Sequence, residues 1–230
     1  MIVFLSDFGY RNEWVGICHA VIDRIAPGSP VIDLSHGIPP LDVRAGALLL
    51  ADSLPFLRDD AVALAVVDPS VGRDRDLAVR TGNGRLLVGP DNGILDPAWQ
   101  AMNGVVQAVS ITSQKYTLRP VAPSFHARAV LAPAAAHLAQ GVALEDLGDP
   151  IDLDTLVRLS MPEVNVERGR IEREVLDLNR FGTSSSTFAD RTSRPPASTD
   201  RSASRSRGSP GPSSPPGYPR MPTSMTRGGV

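Results

Sequence analysis

The sequence predicts an α/β fold, in which an α/β sheet carries helices on both faces. Short apolar runs typical of buried strands alternate along the chain with segments whose apolar residues recur at helical spacing. Loops rich in Asp, Asn and Gly follow several of these strands. Because strand carboxyl ends form the crevice of an open α/β sheet, we expect the functional residues in those loops.

The strands are predicted from apolar runs of four to eight residues. They lie at 2–5, 31–34, 61–68 and 105–111, with a hairpin over 77–89. The hairpin turns at Asn83-Gly84, a pair that accepts the backbone of a tight turn.

Three segments have the periodicity of helices. The predicted helices cover 14–25, 42–57 and 126–141. We expect the second to end near Pro55, and the third to bend at Pro133 and stop at Gly141.

The composition changes abruptly at residue 183. Residues 183–230 contain 12 Ser, 8 Pro and 7 Arg, and neither Leu nor Ile. Such a segment cannot bury enough apolar surface to offset the entropy lost on ordering, so we predict a disordered tail.

Several classes of protein are excluded by composition. Cys18 is the one cysteine, which rules out an internal disulfide framework and fits a reducing compartment. No apolar run is long enough for a membrane span or a signal peptide, so we expect a cytoplasmic protein without a membrane partner. The Arg-rich tail could be a nucleic-acid arm, but it lacks Lys, has only Phe188 and Tyr218 as aromatic residues and follows a segment that is not basic, so we expect no nucleic-acid partner.

Five polar motifs occur in an order that resembles a known family. They read SDFG (6–9) with NEWVG (12–16), VIDLSHGIPP (31–40), VVDPSVGRDR (66–75), PDNG (90–93) and SFHARA (124–129). The chain thereby resembles the adenosine-forming S-adenosyl-L-methionine (SAM) hydrolases, or SAM hydroxide adenosyltransferases, relatives of the fluorinase and chlorinase. Each motif taken singly would also suit an ordinary turn.

The resemblance implies a reaction in which water attacks C5′ of the SAM ribose and expels methionine. It assigns the water-activating set to Asp68, Arg75 and His126. Arg75 would hold the Asp68 carboxylate, and either Asp68 or His126 would take the proton. The sulfonium is already a good leaving group, so we expect no cofactor and no metal site; the sequence contains no recognisable metal-ligand cluster.

The resemblance also implies which residues bind substrate. Asp7 would accept hydrogen bonds from the ribose hydroxyls, and Phe125 would pack near the ribose. The full predicted set is Asp7, Phe8, Trp14, Asn92, Ser124, Phe125, Asn179 and Phe181.

Two alternatives to a hydrolase remain open. A SAM-dependent halogenase is disfavoured, because those enzymes have Tyr where Asp68 stands and the fluorinase has its halide-binding Ser where Ala127 stands. The other alternative is a non-catalytic α/β remnant or binding module.

The family resemblance divides the chain into three parts. Residues 1–160 form the N-terminal hydrolase domain, 161–182 begin a C-terminal β-barrel, and 183–230 form the tail. The family motif breaks after EVLDLNRFG (174–182), which a one-base deletion at codon 183 would explain. The family is trimeric and its barrel supplies most adenine contacts, so we expect impaired activity if the barrel is lost.

Overall fold

The computed structural model describes residues 1–72, 75–121 and 123–161, and the backbone of four short strands after them. Asn179, Phe181 and the codon-183 junction lie outside the described residues. The frameshift and the domain boundaries therefore stay predictions.

A mixed sheet of seven strands forms the centre of the described fold. Its strands are β1 (Ile2–Ser6), β2 (Val31–Ser35), β3 (Val62–Val66), β4 (Asp76–Thr81), β5 (Leu86–Pro90), β6 (Val105–Ile111) and β7 (Gly148–Pro150). They lie in the order β2-β1-β3-β5-β4-β6-β7. The pairs β1–β2, β1–β3 and β3–β5 are parallel, whereas β4 pairs antiparallel with β5 and β6. The predicted strands and hairpin are confirmed.

Helices cover both faces of this sheet, as predicted. They are α1 (Trp14–Ile25), α2 (Val43–Ser53), α3 (Asp96–Ala101) and α4 (Ala132–Ala139). Helix α1 packs against α4 on one face, and α2 packs against α3 on the other. None of the described helices has the length and apolar character that crossing a membrane requires.

Strand β3 is apolar at every position because both of its faces are buried. Val62, Leu64 and Val66 belong to the core under α1 and α4. Ala63 and Ala65 belong to the core under α2 and α3. Because successive side chains point to opposite faces, a strand covered on both sides needs apolar residues at every position.

The helix predicted over 126–141 is not uniform. A π-helical segment covers Ala127–Leu131, and α4 follows it. Pro133 has no N–H for the carbonyl of Ala129, and that carbonyl accepts the Leu118 N–H at 2.8 Å instead. The helix predicted over 42–57 likewise ends at Ser53 and continues as the 3-10 turn Leu54–Phe56, which contains Pro55.

Two short antiparallel pairs follow the main sheet in the chain. Strand β8 (Asn165–Glu167) pairs with β9 (Arg170–Glu172), and β10 (Val175–Leu178) pairs with β11 (Ser184–Ser186). Strand β11 differs from the disordered tail predicted for 183–230, because backbone pairing does not require apolar side chains.

Candidate functional site

A crevice of about 820 Å³ opens where the loops after β1 and β3 meet the start of the π-helical segment. Asp7 and Phe8 line it from the first loop, Asp68 from the second, and Ser124 and His126 from the segment before the helix. Residues of these three motifs therefore line one crevice. The carboxyl ends of the parallel strands position the first two loops.

Three aromatic rings form an apolar wall of this crevice. The Phe8 ring lies edge-on to Trp14 at 5.7 Å and to Phe125 at 5.9 Å between centroids. The guanidinium of Arg128 lies 5.2 Å from the centre of the Phe125 ring. Trp14 is 42% exposed although it is large and apolar, so one side of the wall is open to a ligand.

His126 is held by a carboxylate that the sequence analysis did not single out. Its Nδ1 lies 2.7 Å from Oδ2 of Asp76, the first residue of β4. Burial raises the pKa of Asp76; His126 opposes that rise and the charge of Asp68 adds to it. Because an ionised carboxylate can only accept, Nδ1 carries the hydrogen and Nε2 is left with its lone pair.

The loop that carries Asp68 packs closely against the segment that carries His126. Oδ1 of Asp68 accepts the Ser70 N–H at 2.8 Å, which closes a tight turn. Gly72 has a φ of +78°, and a Cβ there would lie 2.8 Å from the carbonyl oxygen of Pro123 and 3.5 Å from Nε2 of His126. Gly72 therefore lets its loop lie close to the segment with Pro123 and His126, where any side chain at position 72 would clash.

Arg75 is not among the residues that line this crevice. Its guanidinium binds Oδ2 of Asp91 through Nε at 3.0 Å and through Nη2. It also donates to the side chain and the carbonyl of Thr155, at 3.2 and 2.9 Å. The Asp91 side chain is only 2% exposed and its Oδ1 accepts the Val157 N–H. These contacts hold the PDNG loop to the 3-10 turn Leu153–Thr155. That Arg75 also fixes Asp68 stays a prediction.

The other predicted binding residues divide into two groups. Asp7 lines the crevice, and its Oδ2 accepts the Leu41 N–H at 2.8 Å. Asn92 instead stabilises its own loop, because Nδ2 donates to the Val67 carbonyl and Oδ1 accepts the Ile94 N–H. A role for Asn92 in binding substrate therefore stays a prediction without support from its contacts.

Sequence reasoning also missed a group formed by His19, Asp33 and His36, which the fold brings together beside β1. Partial burial alone would raise the pKa of Asp33, but the neighbouring imidazoles of His36 and His19 outweigh burial and lower it. The spacing of these residues matches no familiar metal motif, and the helix–strand geometry that joins them is visible only in the structure.

Comparison with known proteins identifies a family for the larger part of the chain. The family model described as "SAM hydroxide adenosyltransferase N-terminal domain" matches residues 2–148. A relative from Salinispora tropica named (R)-S-adenosyl-L-methionine hydrolase is 45% identical over 79% of this chain and 69% of its own. One of the same name from Thermus thermophilus is 40% identical over 81% of this chain and 74% of its own.

More distant relatives and solved structures agree with this similarity. A fluorinase from an Actinoplanes species is 26% identical over 74% of this chain and 65% of its own. A crystal structure of an uncharacterized conserved protein from Thermotoga maritima superposes with a TM-score of 0.76 at 32% identity, covering 82% of this chain and 71% of that one.

Proposed function

The chain belongs to the SAM hydroxide adenosyltransferase family, and on that premise we propose that it hydrolyses S-adenosyl-L-methionine to adenosine and L-methionine. The observation that carries the proposal at the level of residues is the Asp76–His126 pair, whose His126 lines the same crevice as Asp68. A family match alone would not say how water is activated in this chain.

The reaction transfers the ribose carbon from sulfur to oxygen. A water oxygen attacks C5′ in line with the C5′–S bond, and the bonding pair leaves with sulfur as the neutral thioether of methionine. The proton lost by the water passes to a base, and adenosine carries the new 5′ hydroxyl. The protein must hold one water in line and accept its proton, and the proposed step requires neither metal nor cofactor.

His126 is the base that the contacts favour. Asp76 accepts the hydrogen on Nδ1, so the free lone pair is on Nε2. As the imidazole takes a proton it becomes positively charged, and the Asp76 carboxylate stabilises that charge. Asp68 lines the same crevice and orients the water or stabilises the developing charge.

The crevice offers complementary surfaces to the substrate. Its volume of about 820 Å³ suits a ligand of nucleoside size. The aromatic wall of Phe8, Trp14 and Phe125 presents apolar surface to the ribose and the sulfonium, a cation that ring faces attract. Asp7 presents a carboxylate that can accept from two ribose hydroxyls.

The test is to incubate the purified chain with SAM in ¹⁸O-labelled water and to separate the products by chromatography. We expect adenosine labelled in its 5′ hydroxyl, together with unlabelled methionine. His126→Ala should slow turnover by roughly 10²–10⁴-fold, whereas His137→Gln, a control on α4, should retain it. Unlabelled adenosine, or halogenated adenosine formed only when chloride or fluoride is added, would contradict the proposal.

We further propose that the chain functions in the cytoplasm as a homotrimer, as the family resemblance implies. Light scattering on the eluted protein measures the assembly directly. A monomer with full activity would contradict the trimer and would show that one chain completes the site.

A further inference from the structure

A group of metal-ligating side chains lies outside the set proposed to act in catalysis and joins α1 to the edge strand β2. Nε2 of His19 lies 2.8 Å, and Nε2 of His36 3.0 Å, from the same atom, Oδ1 of Asp33. The three ligand atoms all lie within 4.8 Å of one another. We propose that His19, Asp33 and His36 bind a divalent cation of the zinc class.

The ring of His36 directs an unpartnered nitrogen into this group. His36 is 1% exposed, and its buried Nε2 has no hydrogen-bond partner. Although Oδ1 of Asp33 is 3.0 Å away, it does not lie in the direction that an N–H···O bond requires. A buried polar atom without a partner costs free energy, and a cation bound by the lone pair of Nε2 would remove that cost.

The contacts of His36 hold its ring in the orientation that ligation needs. Nδ1 of His36 lies 2.7 Å from Oγ of Ser6, which can accept the ring hydrogen and leave Nε2 free for the metal. The Phe4 ring lies 4.6 Å from the ring of His36 and 6.1 Å from that of His19, measured between centroids. Rings held in this way lose little rotamer entropy when a metal binds.

The two distances from the imidazole nitrogens to the Asp33 oxygen fit a first-row divalent metal. With metal–ligand distances of about 2.1 Å, two ligand atoms lie about 3.0 Å apart at a right angle and about 3.4 Å apart at the tetrahedral angle. The observed separations of 2.8 and 3.0 Å therefore suit right-angled ligation directly. Tetrahedral ligation requires the side chains to open by a few tenths of an ångström.

The donor set selects the class of cation. Two imidazoles and one carboxylate favour Zn²⁺, Co²⁺, Ni²⁺ or Cu²⁺ over Mg²⁺ and Ca²⁺, which prefer oxygen ligands. The His19 and Asp33 side chains are 35% and 27% exposed, so an ion can enter from solvent and water can complete its coordination.

A metal here would connect three parts of the fold that support the crevice. It would join α1 to the end of β2 and, through His36, to the loop after β1. The carbonyl of His36 accepts the Gly9 N–H at 2.7 Å, and that loop carries Asp7 and Phe8. Bound metal should therefore raise the melting temperature of the protein.

The experiment titrates ZnCl₂ into untagged, chelator-treated and dialysed protein by isothermal calorimetry, and repeats the titration with Co²⁺ to follow its visible absorption. Two variants remove ligands, His19→Ala and Asp33→Asn. His126→Ala is the matched control, because it removes the other histidine paired with a carboxylate. Near-ultraviolet circular dichroism confirms that each variant is folded.

We expect one Zn²⁺ per chain, binding weakened about ten-fold or more in both ligand variants, and unchanged binding in His126→Ala. Zinc should raise the melting temperature of the unchanged protein and of His126→Ala only. No stoichiometric binding, equal affinity in folded His19→Ala, or loss of binding in His126→Ala alone each overturns the proposal. None of these results depends on SAM hydrolysis.

Discussion

Asp76 and His126 are fifty residues apart in the chain and form a pair in which Oδ2 lies 2.7 Å from Nδ1. The pair places a carboxylate behind the imidazole, on the side away from its Nε2. The first β4 residue thereby controls the hydrogen of a ring that lines the crevice. A carboxylate in this position orients an imidazole and stabilises its protonated form.

Removing the carboxylate should slow turnover without weakening substrate binding. We expect Asp76→Asn to lower kcat by about ten-fold or more, and His126→Ala by roughly 10²–10⁴-fold, with KM little changed. Steady-state adenosine release measures both constants. A rise in KM at constant kcat in Asp76→Asn would mean that the pair serves binding rather than proton transfer.

Asp76 should also make the stability of the folded protein fall as pH rises. Burial raises the pKa of Asp76, so the folded protein holds this proton more tightly than the unfolded chain. The stability it contributes is present below the ordinary Asp pKa of about 3.9 and is lost as pH rises through the folded value. Asp76→Asn should therefore lose less stability on going from acid to neutral pH, as measured by urea unfolding at several pH values.

Asp60 provides a control of opposite sign. A hydrogen bond from Arg58 lowers its pKa, so its contribution is present above the ordinary Asp pKa and lost as pH falls through the folded value. Asp60→Asn should therefore lose less stability than the unchanged protein as pH falls below the ordinary Asp pKa. Asp76→Asn should not reduce that loss. Identical pH profiles for the two variants would contradict the raised pKa at Asp76.

Arg75 should contribute chiefly to stability. Arg75→Ala leaves the Asp91 carboxylate, which is 2% exposed, without its cation, and we expect a loss of about 2 kcal/mol or more. Arg58→Ala is the matched control, since Arg58 and its partner Asp60 are 70% and 61% exposed and solvent-exposed pairs contribute little to stability. Urea unfolding measures both losses. A large drop in kcat without destabilisation would instead support the role that the family resemblance gave Arg75.

Gly72 should be needed for its lack of a side chain as well as for its φ. Gly72→Ala brings a Cβ to 2.8 Å from the Pro123 carbonyl oxygen, next to His126, and should lower kcat as well as stability. Gly84→Ala has a similar φ of +88° but no atom within 4 Å of the new Cβ. The control should therefore lose only about 1 kcal/mol of stability and keep its activity. Equal activity in the two variants would show that the close approach is not required.

Cys18 should be inert in the native protein. Burial raises the pKa of its thiol to about 12, so almost no thiolate is present at neutral pH. A thiol reagent should modify it only after denaturation, as mass spectrometry would show. Rapid modification under native conditions would indicate that α1 opens readily.

The sequence predicted the parts of this structure that depend on local pattern. Apolar runs and helical periodicity located β1, β3 and α1, because burial on one or both faces fixes which residues can occupy each position. The motifs around Asp68 and His126 correctly indicated a shared crevice. The partners of Arg75 and His126 were not predictable, since Asp76 begins β4 and Asp91 directly follows β5, and the pairing of these two strands sets both positions.

Because Pro133 has no N–H, the Ala129 carbonyl accepts the Leu118 N–H instead, and this amide can be used to follow opening of the helix. Leu118 has no regular secondary structure, yet its N–H donates to the Ala129 carbonyl inside the π-helical segment. Its hydrogen can be replaced by solvent deuterium only when that contact opens. The exchange rate at this amide therefore measures how often the start of the His126 helix separates from the chain beside it.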